Sequence, residues 1–177
     1  MSLSELRKSF EQETNRSISL PVAGTIVWFI IALLSTQFPF KTGLLILLFG
    51  SGTIFPIALL IAKFRHEAIT TSTNPLAKLM GSCVLMVNLL WAVHIPLFIF
   101  APEFVPLSVG IGLGLHWVVY SWIIQHPLGL IHAILRTIAV LAVWFSFPEH
   151  RLLAVGLVIV AVYLLSIFQM LTRAIEE

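Results

Sequence analysis

Aspartate is missing from this 177-residue chain, and its eight acids are all glutamates: Glu5, Glu11, Glu13, Glu67, Glu103, Glu149, Glu176 and Glu177. Each falls in a terminus or a connecting stretch, so the long apolar runs contain no carboxylate at all. Cysteine occurs once, at Cys83, which excludes an intrachain disulfide and any CxxC metal or redox motif. In its apolar setting Cys83 reads as a packing residue. Charged residues supply only 10% of the chain, where a soluble domain carries roughly 25%. So few charges cannot clothe a globular surface, and the solvent for most of the chain is lipid. The mean hydropathy of +1.03 agrees. A net charge of +2 with no basic run gives no reason to expect a nucleic-acid partner.

What the chain does have is length of apolar sequence. Crossing a core of about 30 Å takes about 20 residues at 1.5 Å each. Six runs qualify, at 18–36, 43–62, 79–100, 105–124, 128–147 and 152–171. They must be helices, because a backbone amide in lipid finds its partner only within its own segment. They are too long and too evenly apolar for barrel strands. The expected fold is therefore all-α: a polytopic bundle of six transmembrane helices over 18–171, with a polar segment at 1–17 and a tail at 172–177. Ser2-Leu3-Ser4-Glu5 offers a capping box, and Leu3, Leu6 and Phe10 recur at helical spacing. The segment is read as a short amphipathic helix on the membrane surface, with a frayed tail as the alternative. It lacks the features of a signal peptide.

Basic residues set the orientation. With the N-terminus inside, the inner side holds Arg7, Lys8, Arg16, Lys63, Arg65, Lys78 and Arg173, and the outer side only Lys41 and Arg151. Both termini are accordingly expected in the cytoplasm.

Polar residues within the runs concentrate between His116 and Arg136. Arg136 is the most expensive, since a guanidinium at a helix centre costs roughly 2.5–3.5 kcal/mol and does not shed its proton. It lies ten residues beyond the Gln125-His126-Pro127 turn, about 15 Å into the membrane. With no intramembrane acid, its partner has to be a carbonyl, a neutral side chain, water, a loop glutamate or an anion foreign to the chain. If the fourth and fifth runs form a hairpin about His126, equal depth pairs His116 with Arg136 and Tyr120 with His132. His116 and Tyr120 on the fourth helix, and His132 and Arg136 on the fifth, are each spaced i, i+4, hence on one face. Gly112 and Gly129 extend those faces with small residues, and Gly110-x-x-x-Gly114 lets another helix approach closely.

Gly50-Ser51-Gly52-Thr53 and Pro56 fall mid-span and suggest a kink or a site-lining break. Asn88 and His94 do not share a helix face, and His94 reads as a buried histidine bonded to a neighbour. A zinc hydrolase lacks its carboxylate. A set of His94, His116 and His132 would put Arg136 beside a dication, so no metal is assigned. A Ser-His-Asp triad lacks its Asp.

The leading expectation is a membrane protein that binds or transports a small anionic or amphipathic ligand. Arg136 supplies charge, His116 and His132 tunable hydrogen bonds, and Tyr120 a hydroxyl. The alternatives are a haem-binding redox protein using the two histidines, an intramembrane lipid-modifying enzyme with His as acid/base, and a purely structural polar knot. No catalytic residue and no cofactor is assigned. Membrane lipids are expected partners, and a homo-oligomer stays open. The run GLHWVVYSW…IHAILRT resembles that of small uncharacterised bacterial multi-spanning proteins, over the fourth and fifth runs. The resemblance implies a bacterial inner membrane and carries no activity.

Overall fold

The computed structural model describes residues 1–174, so the expected tail lies outside the described residues from 175 onward. Among the described residues every regular element is helical, and six helical stretches are long and apolar enough to span a membrane. The protein is an all-α membrane protein. Large side chains such as Phe49, Leu89, Phe145 and Phe168 stand exposed around its girth. In water so broad an apolar surface would drive association, whereas in lipid it is the solvated face.

The polar N-terminal segment is a helix, α1 (Leu3–Thr14), opened by reciprocal bonds between Ser2 and Glu5. Asn15, Arg16 and Ser17 follow, all with positive φ (42°, 68° and 53°). Three consecutive left-handed residues without glycine are strained, and surrounding bonds hold them. Arg16 donates to the carbonyls of Met170 and Leu171 at 2.7 and 2.6 Å, capping the last helix, and Asn15 donates to the Arg65 carbonyl. The elbow turns the chain out of α1 into the first span, α2 (Ser19–Leu34). Buried Glu67 accepts from the Ser19 amide at the start of α2 and pairs with Arg65 at 2.6 Å. A carboxylate there complements the helix dipole. Glu13 accepts from Ser72 and Ser9, and these bonds, Ser72 foremost, hold its carboxyl below the ordinary 4.5.

The second span divides into α3 (Phe40–Gly52) and α4 (Ile54–Arg65), the third into α5 (Pro75–Leu89) and α6 (Trp91–Phe100), and the fourth into α7 (Val105–Gly112) and α8 (Trp117–Ile124). Each break is a tightening, not an unwinding. Thr53, Leu90 and Gly114 donate to carbonyls three residues back, at Gly50, Val87 and Ile111. At Thr53 the side-chain hydroxyl also bonds the Gly50 carbonyl, and Pro56 brings no N–H to Gly52. Pro96 lies inside α6, so the third span breaks at Leu90 and not at its proline. The fifth and sixth spans, α9 (Leu128–Ser146) and α10 (Arg151–Thr172), are unbroken.

The most extensive packing joins α2 to α10 and α10 to α9, while the second and third spans are the least enclosed. Small residues permit the central seam. A methyl on Gly156 would stand 2.8 Å from Ala32 Cβ, and one on Gly24 would stand 2.7 Å from the Tyr163 ring. Arg16 on the end of α10, and an ion pair between Glu11 and Arg173, bring both ends of the chain to one face. At the opposite face Trp144 donates to the Glu103 carbonyl, and Arg151 lies 4.3 Å over the Trp144 ring. The seven inward-assigned cations thus belong to the segments and loops of the terminal face.

Candidate functional site

Arg136 is completely buried, on α9, midway along the central seam. Its Nε donates to the Gly110 carbonyl at 2.6 Å. That carbonyl is free for a local reason. In a continuous helix the Gly114 amide would bond Gly110, but the tightened turn sends it to Ile111 at 2.8 Å instead. The side chain lies across Gly114, where an added methyl would stand 2.7 Å from Arg136 Cδ. The guanidinium carbon is 5.6 Å from the Trp28 ring centre and 5.3 Å from that of Tyr163. Aromatic faces attract a desolvated cation by about 2 kcal/mol or more. They do not satisfy its N–H groups, and Nη1 and Nη2 have no hydrogen-bond partner among the described residues.

His132, one turn earlier on α9, is also buried, with Nδ1 2.8 Å from Ser166 Oγ on α10. Ser166 donates its only proton to the Val162 carbonyl at 2.9 Å, so it accepts from His132 Nδ1–H. Nε2 is then a bare lone pair, and it too is unpartnered. Trp117 stacks on this imidazole, with ring centres 4.0 Å apart and planes 12° from parallel, and Tyr163 flanks it at 5.1 Å. Close helix approach makes the stack possible: Gly129 is so near α8 that a methyl there would stand 2.3 Å from the Trp117 carbonyl oxygen.

The residues expected to meet are brought together only in part. Arg136 and His132 share the seam with Trp117 and Tyr163. His116 lies on the other side of Trp117, its ring centre 6.2 Å from the indole, with an unpartnered buried Nδ1. It lines a cavity of about 30 Å³ together with Ser17, Pro21, Met80, Tyr120 and Met170. Tyr120 turns its hydroxyl away from His132 and donates to the Arg16 carbonyl in the elbow at 3.1 Å. His94 sits apart, its Nδ1 3.1 Å from Ser108 Oγ, and Asn88 is exposed, bonded to the Val84 carbonyl. Gly50, Ser51, Gly52 and Thr53 mark the break in the second span, where Ser51 and Thr53 bond carbonyls of their own helix. Among the described residues no three His, Cys or acidic side chains gather closely enough to share one ion.

Sequence reasoning missed Trp28, Trp117, Tyr163, Ser166 and the Gly110 carbonyl. Tyr163 and Ser166 are three apart on α10, a spacing that marks one polar stripe in an otherwise apolar run. The indole nitrogens of Trp28 and Trp117 are buried and unpartnered as well. The unpaired set is therefore rich in donors, with four guanidinium and two indole N–H groups, and poor in acceptors.

These features define a class: a six-span helical membrane protein with an uncompensated cation and unpaired donors at its centre. Within that class, the chain belongs to a family of unknown function, DUF7010, whose model matches residues 3–173. No curated protein and no solved structure matches it.

Proposed function

We propose that this protein binds, and through movement of its broken fourth span transports, a small anionic or amphipathic ligand whose negative group is recognised by Arg136. One observation carries the reading: Arg136 Nη1 and Nη2, and the indole nitrogen of Trp28 beside them, are buried donors without partners among the described residues, at a cation that no carboxylate in the spans neutralises. Orphaned buried donors each cost about 1–3 kcal/mol. An anion accepts from several at once and offsets the charge. In this reading His132 and His116 adjust the hydrogen bonding beside it, and Tyr120 links the site to the elbow. The tightened turn around Gly114 contacts Arg136 and separates α7 from α8.

A structural knot is the second reading, favoured by the bond from Arg136 Nε to the freed Gly110 carbonyl. Thermal unfolding of the purified protein in halides, nitrate, short-chain carboxylates and sulfate separates the two. Binding predicts that at least one anion raises stability with the logarithm of its concentration, by about 2.7 kcal/mol at a hundred times its Kd, while ionic strength is held constant. A knot predicts no selective response.

A further inference from the structure

A second site, independent of Arg136, lies on the terminal face. A cavity of about 560 Å³ opens between α1, the α8–α9 turn and the end of α10. Its lining includes Arg7, Lys8, Arg173, His126, Ile123 and Ile124. Among the described residues of its lining, three cations face a single carboxylate, Glu11, which is engaged by Arg173. Arg7 is held in place, not free: Nη2 donates to the Trp122 carbonyl at 3.3 Å and the guanidinium lies 4.6 Å over the Trp122 ring. Its Nε is buried without a partner among the described residues. His126 accepts from the Leu128 amide through Nδ1, which leaves the proton on Nε2 as a further donor.

We infer that this cavity binds the phosphate headgroup of an anionic phospholipid. The size suits a small-molecule site. Cations and a histidine donor supply the phosphate partners, and Ile123 with Ile124 supplies an apolar wall for the glycerol end. Trp122, half exposed beside Arg7, is the kind of aromatic that sits at headgroup level. By the distribution of Lys and Arg this face meets the inner leaflet, whose anionic lipids attract such clusters. Bound there, the lipid staples α1 to the ends of the fourth and sixth spans.

The test is binding of dioctanoyl phosphatidylglycerol, dioctanoyl phosphatidylcholine and inorganic phosphate to the detergent-solubilised full chain. The site predicts saturable binding of the glycerol lipid in preference to the choline lipid. Lys8→Gln, at an exposed position, weakens it about fivefold. Lys8→Gln with Arg7→Gln weakens it by about twentyfold or more, while Arg136→Met leaves it unchanged. Equal binding of both lipids, insensitivity to the Lys8 and Arg7 changes, or loss only in Arg136→Met overturns the assignment. Inorganic phosphate binding as tightly as the lipid, weakened by the Lys8 and Arg7 changes and not by Arg136→Met, transfers the site to a soluble phosphate compound and overturns it equally.

Discussion

Arg136→Met is expected to leave the anion-free stability within about 1 kcal/mol of wild type and to abolish the anion-induced gain that persists in Lys8→Gln with Arg7→Gln. The balance decides the first half. Removing the guanidinium forfeits a charged hydrogen bond to Gly110, about 1.5–3 kcal/mol, and two cation–π contacts of about 0.5–2 kcal/mol each. It also ends the desolvation of a buried cation, several kcal/mol, and relieves the unpartnered Nη1 and Nη2. Methionine, long and adaptable, fills the space beneath Trp28 and Tyr163. These terms nearly cancel. Chemical or thermal unfolding with and without the responsive anion checks both halves. A loss of about 3 kcal/mol or more in the absence of anion would assign Arg136 to a knot.

Gly129→Ala is expected to cost at least about 3 kcal/mol, the upper end of overpacking effects. The new methyl would stand 2.3 Å from the Trp117 carbonyl oxygen and 2.9 Å from the Ser121 nitrogen. Both are backbone atoms, so no side chain can swing aside, and α8 has to move off α9. Trp117 moves with it and leaves the His132 ring, so the anion response falls as well. Gly81→Ala is the control, because nothing lies within 4 Å of an added methyl there. It is expected to be neutral or to stabilise by up to about 1 kcal/mol through helix propensity. Unfolding free energies of the two variants, with tryptophan fluorescence reporting on the stack, test this. Equal effects would deny the close α8–α9 approach.

Six apolar runs without acids made the membrane fold legible, because no other solvent suits such sequence. Arg136 was legible for the same reason: a charge ten residues from the nearest turn stands out on cost alone. Its partner was not. Gly110 accepts from Arg136 only because Gly114 bonds Ile111, a one-residue change in hydrogen bonding that has no composition signal beyond nearby glycines. The equal-depth pairing of Tyr120 with His132 took both spans as uninterrupted. Instead the elbow at Asn15–Ser17 offers Tyr120 a carbonyl, and Ser166 on a helix distant in sequence takes His132. Trp28 and Tyr163 reach the site through the α2–α10 seam, a tertiary fact that no spacing within one span encodes.

Crystals of the full chain grown in bromide, with diffraction collected at the bromine edge, test the central claim most directly. The account predicts an anomalous peak within hydrogen-bonding distance of Arg136 Nη1 or Nη2, absent from Arg136→Met crystals. Nη atoms bonded to water or protein oxygen alone, with no peak there at saturating bromide and no displacement by any responsive anion, would contradict it.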